Sequence, residues 1–228
     1  MKAIIFDLDD TLYDENLFVL SAFLNVASFL ECKFELNKVD IFNFLKETFL
    51  TDGREQIFNK LLKKYNITVL PIKRLVDCYR ATIPDIELLD DSKNFLQEID
   101  RTKFKLGIIT DGLNSVQWNK INALNLLEKF DKIVVTDDHG LKNWKPSEFP
   151  YKLILDELKV MPEDSIYIGD NANKDFLAPN ELGMISVKIN RDSSDHRDFI
   201  HPETNYNAQY EVNDLNELKQ LLKRINWL

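Results

Sequence analysis

Five short apolar segments recur along the chain, and helical patterns lie between most of them. A strand with one wet face alternates apolar and polar residues, whereas a strand covered by helices on both faces is apolar almost throughout. These segments are of the second kind, so the sequence predicts an α/β fold with a doubly wound parallel sheet. The predicted strands are 3–8, 104–110, 132–136, 165–169 and 184–189. A helix is predicted at 91–100, just before the second strand, and helices at 115–130 and 149–159 lie between later strands.

One connection is far longer than a sheet crossover requires. Residues 9–103 separate the first two predicted strands and contain no good strand candidate, whereas a crossover needs only about a dozen residues. We therefore expect an inserted all-helical cap domain of residues 15–85, and an α/β core domain of residues 1–14 plus 86–228. Helical patterns in the insertion cover 16–31, 39–49, 54–65 and 71–82. Toward the end of the chain, residues 191–210 are predicted to form a loop and 214–225 an amphipathic helix.

Composition and charge exclude several function classes. A formal net charge of -9 argues against the sustained basic face that nucleic acids require. The longest apolar stretch, residues 17–30, is interrupted by polar side chains and is too short to cross a bilayer. Cys32 and Cys78 lack metal-ligand spacing and are typical of reduced thiols. Because the first residues lead directly into a strand, no secretory signal is expected, and we expect a cytoplasmic monomer or homodimer with no membrane or nucleic-acid partner.

The first predicted strand leads into the acidic segment "FDLDDTLYDE" at residues 6–15. Side chains two apart on an extended backbone point the same way, so Asp7 and Asp9 should face one site. Ligands of doubly wound sheets bind beyond the carboxyl ends of the strands, where this pair lies. Two such carboxylates can supply a nucleophile and a general acid. A D-x-D pair by itself is more typical of a helix N-cap or an acidic turn.

Polar residues also follow the other predicted strands. The second strand ends in Thr110, Asp111 and Gly112, where a hydroxyl and backbone N–H groups could hold an anion. Lys145 lies in the loop after the third strand, where a single lysine is more often solvated than functional.

Two further acids follow the fourth predicted strand. Asp170 stands at the end of that strand and Asp175 lies near the start of a helix. Asp175 alone is typical of a first-turn helix residue. Asp170 together with Asp7 offers the hard oxygen ligands that Mg²⁺ prefers.

Taken together, four motifs resemble the signatures of the haloacid dehalogenase-like superfamily, and they occur in the same order at the same strand ends. The motifs are "DLDDT" (7–11), "TDG" (110–112), "KP" (145–146) and "GDNANKD" (169–175). The helical insertion after the first motif resembles the cap of the cap-type-1 (subfamily I) phosphatase branch. The resemblance covers about residues 1–190 and implies an enzyme of the phosphoric monoester hydrolase type.

This resemblance implies a role for the first two acids. Asp7 would attack the phosphorus of a small phosphorylated metabolite, a sugar phosphate or nucleotide, and form a transient aspartyl-phosphate. Asp9 would protonate the leaving alkoxide and then activate the water that hydrolyses the intermediate.

The resemblance also implies how the phosphoryl group and a metal ion are held. Thr110 and the backbone N–H of Asp111, next to Gly112, would bind a phosphoryl oxygen. Lys145 would offset the negative charge. Mg²⁺ would be bound by four acids, with Asp175 either a direct ligand or one step removed. The four are Asp7 through its carboxylate, Asp9 through its backbone carbonyl, Asp170 and Asp175.

Three features leave questions open. The family often has Asn where this chain has Asp111, which weakens phosphate binding only if that side chain faces the phosphate. The segment "PSEFP" after Lys145 replaces the more usual Pro-Asp. On the predicted cap, Arg54 follows a turn at Gly53 and could pair with an anionic substrate group, although a solvent-exposed arginine is the commoner interpretation.

Other functions remain open on the same fold. A phosphomutase would use identical core residues and return the phosphoryl group to the substrate. A haloacid dehalogenase is disfavoured because it has no use for Asp9 or a metal. A non-catalytic binding protein also stays open, since fold alone does not fix function.

Overall fold

The computed structural model of the chain describes residues 1–227. These residues divide into two compact units, one formed by residues 1–15 and the chain from residue 87 onward, the other by Asn16–Ile86. The strands are β1 (Lys2–Phe6), β2 (Phe104–Thr110), β3 (Lys132–Val135), β4 (Ser165–Gly169), β5 (Ile185–Ile189) and β6 (Tyr210–Val212). The α-helices are α1 (Glu15–Phe34), α2 (Lys38–Asp52), α3 (Ile57–Lys64), α4 (Ile72–Arg80), α5 (Asp90–Glu98), α6 (Asn114–Ala123), α7 (Phe149–Leu158), α8 (Leu177–Leu182) and α9 (Leu215–Arg224). Short 3₁₀ helices cover Thr136–His139, Leu141–Asn143, Pro162–Asp164 and Thr204–Tyr206.

The first unit, which we call the sheet unit, is built on six parallel strands. Their order is β3-β2-β1-β4-β5-β6, and each neighbouring pair is parallel. The apolar side chains of Ala3, Ile4, Ile5 and Phe6 on β1 are fully buried, as expected for a central strand covered on both faces. The prediction of an α/β doubly wound parallel sheet is confirmed.

The strand order reverses between β1 and β4. From β1 the chain goes to β2 and β3 on one side, and from β4 it goes to β5 and β6 on the other. The connections therefore leave these two neighbouring strands in opposite directions and open a crevice at their carboxyl ends, where ligands bind in folds of this kind. Asp7 follows β1 and Asp170 follows β4.

One predicted helix boundary was wrong, and one short strand was not predicted. The helix predicted at 115–130 ends at Ala123, and Asn125 then takes a left-handed conformation with φ +52° that Asn tolerates better than most residues. The tail predicted as a loop at 191–210 leads into strand β6, which begins at Tyr210. This strand has only three residues, too few to show periodicity, and it forms by pairing with β5.

The second unit, which we call the helical unit, contains helices α2–α4 and all of α1 except Glu15. Its apolar core includes Val26 and Leu30 of α1, Ile41 of α2 and Leu75 of α4, all fully buried. Helix α1 has 20 residues and extends beyond the apolar stretch 17–30 at both ends. By length and composition alone it could cross a membrane, so the expectation that this segment is too short was wrong. Its buried face packs in this core, as the central helix of a compact helical domain does.

Helix α2 has defined ends. Asn37 caps its N-terminus by accepting hydrogen bonds from Val39 N at 2.8 Å and Asp40 N at 3.2 Å. At the other end, Gly53 has φ +71°, a conformation that favours glycine and turns the chain sharply. Arg54 follows this turn at the surface.

A buried arginine ties three parts of the sheet unit together. Arg191, in the loop after β5, donates from Nε at 3.1 Å and Nη2 at 2.8 Å to the backbone carbonyl of Thr11 in the turn after β1. Its Nη1 also donates to Asp91 Oδ2 at 2.7 Å, and the same oxygen accepts from Leu215 N at the start of α9. Arg191 therefore fixes the turn that carries the acidic motif.

Replacing this arginine should destabilise the protein strongly. The side chains of Arg191 and Asp91 are only 7% and 13% exposed, so Arg191→Met leaves the Asp91 carboxylate without its charged partner and the Thr11 carbonyl without its arginine donors. We expect the free energy of unfolding, measured by urea denaturation, to fall by about 3–5 kcal/mol. The matched control is Arg197→Met, whose ion pair with Asp192 is 42% and 91% exposed and should contribute about 0–1 kcal/mol. Equal losses in the two variants would contradict this account.

Candidate active site

Asp7 lies directly beyond β1 and is 1% exposed. Its backbone N–H donates to the Ile168 carbonyl of β4 at 2.7 Å, which fixes the residue at the crevice between the two strands. One carboxylate oxygen, Oδ1, accepts a hydrogen bond from Lys145 Nζ at 2.7 Å. The other, Oδ2, is buried and has no hydrogen-bond partner among the described residues. A buried oxygen of this kind is costly unless a ligand or a reacting group meets it.

Lys145 is the cation at the centre of the site. Its side chain is fully buried, and Nζ lies 2.7 Å from Asp7 Oδ1, 2.8 Å from Asp175 Oδ1 and 3.0 Å from the Tyr167 hydroxyl. Burial by itself lowers the pKa of a lysine, but Asp175 and Asp7 raise the pKa of Lys145 well above its ordinary value. The lysine therefore stays charged and offsets part of the negative charge around it.

Asp175 is held on both of its carboxylate oxygens. Oδ1 accepts from Lys145 and from the Tyr167 hydroxyl at 3.0 Å, and Oδ2 accepts from the backbone N–H of Asn171 at 2.9 Å. Burial tends to raise the pKa of Asp175, but Lys145 and Lys174 hold it below its ordinary value. A Cβ at position 169 would lie 2.5 Å from Asp175 Oδ2, which is too close. Glycine at this position therefore leaves room for the Asp175 carboxylate.

Three carboxylates form a compact buried cluster. One carboxylate oxygen from each of Asp7, Asp170 and Asp175 lies within 4.8 Å of the other two. Burial raises the pKa of Asp7 to about 6 despite Lys145, and burial together with Asp175 and Asp7 raises the pKa of Asp170 well above its ordinary value. Asp170 also accepts a hydrogen bond from Ser194 Oγ at 2.6 Å. Three buried carboxylates this close together supply the hard oxygen donors that fit a divalent cation such as Mg²⁺.

The Asp9 carboxylate belongs to a different set of contacts and is not part of that cluster. Its Oδ1 accepts from Lys120 Nζ at 2.7 Å and from the hydroxyl of Tyr13. Its Oδ2 accepts from Gln117 Nε2 at 2.9 Å. Burial is the largest single influence and raises the pKa of this carboxyl, but the charge and hydrogen bond of Lys120, together with the hydrogen bonds of Tyr13 and Gln117, outweigh it and hold the pKa below its ordinary value.

Each residue of the turn after β2, Thr110 to Gly112, makes or permits a specific contact. Thr110 is fully buried, and its hydroxyl accepts a hydrogen bond from Gln117 Nε2. Asp111 Oδ1 accepts from Thr136 Oγ1 at 2.7 Å and from the backbone N–H of Lys145 at 3.2 Å, so this oxygen holds the neighbouring loop in place. Gly112 has φ +138°, and a Cβ at that position would lie 2.9 Å from Gln117 Cδ. The Lys145–Pro146 peptide bond is cis.

Arg54 lies in the helical unit, where its guanidinium lies over the Phe49 ring at 5.8 Å from the centroid. The residue is exposed and lines a groove of about 310 Å³. The other lining residues are Phe23, Gln56, Ile57, Phe58, Asn59, Ile72, Val76 and Tyr79. The groove is therefore mainly apolar with a few polar groups at its wall, a composition typical of small-molecule sites.

Several residues at the site were missed from the sequence. Gln117 and Lys120 of α6 contact Asp9, Tyr167 of β4 contacts Lys145, and Ser194 contacts Asp170. The three-residue spacing of Gln117 and Lys120 puts both on one helix face directly after the "TDG" turn, and this signal could have drawn attention to them. Nothing in the local sequence marks Tyr167 or Ser194.

Known proteins resemble this chain over nearly its whole length. A glyceraldehyde 3-phosphate phosphatase of Methanocaldococcus jannaschii is 28% identical over 232 residues, which cover 99% of this chain and 98% of that protein. The pyrophosphatase PpaX of Bacillus mycoides is 22% identical and covers 99% of each chain. The crystal structure of a HAD phosphatase from Thermococcus onnurineus matches with a TM-score of 0.61 and 26% identity, covering 97% of this chain and 98% of that one.

The sequence profile of one family matches residues 4–189, which include the strand ends and acids described above. This match spans most of the chain, and it agrees with the resemblance predicted from the four motifs. The chain belongs to the haloacid dehalogenase-like hydrolase family.

Proposed function

We propose that the protein is a Mg²⁺-dependent phosphatase that hydrolyses a small phosphorylated metabolite through an aspartyl-phosphate intermediate. One observation carries this proposal above the others. Lys145 holds one oxygen of the buried Asp7 carboxylate at 2.7 Å, while the other oxygen is buried without a partner in the described chain. A fixed carboxylate with one free oxygen is what in-line attack on phosphorus requires.

In this proposal Asp7 is the nucleophile. The Oδ2–phosphorus bond forms while the bond from phosphorus to the leaving oxygen breaks, and the phosphoryl group passes to the enzyme. Water then attacks the same phosphorus and releases inorganic phosphate and the free carboxylate. Covalent catalysis divides one difficult displacement into two easier steps.

Asp9 serves as the acid and then the base. In its protonated form it donates a proton to the leaving alkoxide. The carboxylate that remains, which is the form that Lys120 favours by lowering the pKa, then accepts a proton from the attacking water, and this step restores the acid form. Thr110 and the backbone N–H of Asp111, next to Gly112, bind a phosphoryl oxygen. Because Asp111 Oδ1 is occupied by Thr136 and the Lys145 backbone, the backbone donors rather than the Asp111 side chain are the better candidates for that contact.

The metal would be held at the buried acidic cluster. Asp7, the backbone carbonyl of Asp9 and Asp170 are the proposed ligands. Both oxygens of Asp175 already accept hydrogen bonds, which supports a role behind the ligands, where it orients Lys145. When bound, Mg²⁺ supplies positive charge that lets an anionic nucleophile approach an anionic phosphate.

The substrate class rests on the relatives and on the helical unit. Relatives that match the full length of the chain are named for glyceraldehyde 3-phosphate and for pyrophosphate. Both compounds are small, and we propose a small phosphorylated metabolite of the sugar phosphate or nucleotide class. Arg54, which lines the groove of the helical unit, is a candidate contact for an anionic group of that substrate. Cytoplasmic location and a monomeric or dimeric state stay predictions.

The alternatives differ from the proposal in what they release. A phosphomutase would return the phosphoryl group to the substrate, and isomerised product would then exceed inorganic phosphate. A dehalogenase would release halide from 2-haloacids without Mg²⁺. A non-catalytic binding protein would release nothing. The contacts that hold Asp9 favour the phosphatase over the dehalogenase, because a dehalogenase needs no acid at that position.

Magnesium should stabilise the protein through the acidic cluster. Bound ligand at about 100 times its Kd stabilises the folded state by about 2.7 kcal/mol, so MgCl₂ should raise the Tm measured by calorimetry. The rise should be larger near pH 8 than near pH 5, because the pKa of Asp7 is raised to about 6 and a protonated carboxyl binds the cation poorly. Asp170→Asn should abolish most of the rise. Asp164→Asn, a matched change at an exposed acid, should leave it intact.

Inorganic phosphate should be released from phosphorylated metabolites in the presence of Mg²⁺. The substrates to screen include glyceraldehyde 3-phosphate, sugar phosphates, nucleotides and pyrophosphate. Asp7→Asn should abolish turnover, EDTA should do the same, and Asp9→Asn should lower kcat/KM by roughly 10²–10⁴-fold while the fold is kept.

The control for this experiment is the third acid of the same motif. Asp10 accepts from the Glu15 backbone N–H at 2.9 Å and has φ +52°, and Asn can keep both features. Asp10→Asn should therefore retain activity. The proposal fails if the wild-type protein releases no phosphate from any substrate of the screen, or if turnover survives Asp7→Asn.

A further inference from the structure

Two buried polar side chains on helix α6 reach the predicted catalytic residues. Gln117 and Lys120 are 1% and 2% exposed, and they stand three residues apart on one face of the helix. Polar groups as deeply buried as these are destabilising unless they are fully paired. Both are paired with Asp9, and the contacts span 108 and 111 positions of sequence.

The amide of Gln117 bridges two groups of the proposed mechanism. Its Nε2 lies 2.9 Å from Asp9 Oδ2 and also donates to the hydroxyl of Thr110. An amide nitrogen has two hydrogens, and each is used by one of these contacts. Because the Thr110 oxygen accepts from Gln117, its own hydrogen is left to be donated elsewhere. The same side chain thus orients Asp9 and directs the Thr110 hydroxyl.

The absence of a side chain at Gly112 makes room for this bridge. A Cβ at position 112 would lie 2.9 Å from Gln117 Cδ and 3.1 Å from Gln117 Oε1. The turn after β2 therefore closes directly over the amide. Gly112 of the "TDG" turn and Gln117 of α6 therefore pack directly against each other, and the contact requires the glycine.

Lys120 fixes the other oxygen of the same carboxylate. Its Nζ lies 2.7 Å from Asp9 Oδ1 and 3.6 Å from Glu15 Oε1, with the lysine side chain 3% exposed. The hydroxyl of Tyr13 donates to the same Asp9 oxygen. With Gln117 on Oδ2, the Asp9 carboxylate is held on both oxygens and cannot rotate freely.

We propose that Gln117 and Lys120 are positioning residues. Both hold the Asp9 carboxyl in place beside the reacting phosphoryl group, and Gln117 also holds the Thr110 hydroxyl there. This inference rests on the proposed phosphatase function. Neither residue touches the substrate; each acts through the group that does.

The consequence depends on the leaving group. When phosphorus bonds to Asp7, the leaving oxygen takes the electron pair of the broken bond, and the proton from Asp9 neutralises it. An alkoxide is a strong base and departs slowly without that proton, whereas 2,4-dinitrophenolate is a weak base and departs without it. A misplaced Asp9 should therefore slow alkyl phosphates much more than aryl phosphates with an acidic phenol.

The experiment compares two substrates in four variants. The value of kcat/KM, which covers the steps through phosphoryl transfer, is measured for the best alkyl phosphate of the metabolite screen and for 2,4-dinitrophenyl phosphate. For Gln117→Leu and Lys120→Met we expect a loss of roughly 10–10³-fold on the alkyl phosphate and less than about threefold on the aryl phosphate. Lys120→Arg should recover part of the alkyl activity. Lys129→Met, at an exposed lysine just beyond α6, should leave both values unchanged.

A double-mutant cycle separates positioning from general damage. In an Asp9→Asn background, Gln117→Leu should cost little further alkyl activity, because the group that it positions is already gone. Equal losses on both substrates, or losses that add to that of Asp9→Asn, would overturn the inference. A lack of wild-type turnover on both substrates would instead refute the proposed function. Thermal unfolding of each variant is measured first, and Gln117→Met and Lys120→Gln replace any variant that does not fold.

Discussion

The buried ion pairs of Lys145 are the interaction on which the site depends. Its ammonium group lies within 2.8 Å of oxygens of both Asp7 and Asp175, and all three side chains are 0–1% exposed. Buried carboxylates this close together would repel one another strongly without a cation. The lysine lets Asp7 keep one oxygen fixed and the other free, and this asymmetry turns an unfavourable cluster into a candidate nucleophile.

The parallel sheet explains how separate parts of the chain meet. Strands β1 and β4 are neighbours whose following loops diverge, so Asp7 and Asp170 arrive at one crevice although 163 positions separate them. Around this crevice the structure forms two linked layers of contacts. Lys145, Tyr167 and Asp175 support Asp7, and the helix after β2 supports Asp9.

The sequence predicted the fold well where its signals are local. Nearly continuous apolar runs predicted the parallel sheet, and the family resemblance predicted from the four motifs is confirmed by the family match over residues 4–189. Prediction from the sequence was less accurate where the local pattern is ambiguous or where the structure depends on residues far away in the chain. Helix α6 ends seven residues before its predicted end, because Asn125 takes a left-handed conformation that the apolar pattern of residues 124–130 does not reveal. Strand β6 exists only through its pairing with β5.

By itself, the sequence determined which residue types stand at which strand ends, because strand period and chain order are properties of the local chain. Only the tertiary structure decided how these side chains are held. Gln117 and Lys120 meet Asp9 across more than a hundred positions, and Asp111 turns one oxygen toward Thr136. Such contacts depend on the packing of α6 and the loop after β3 against the sheet, and packing is a property of the whole fold rather than of any segment.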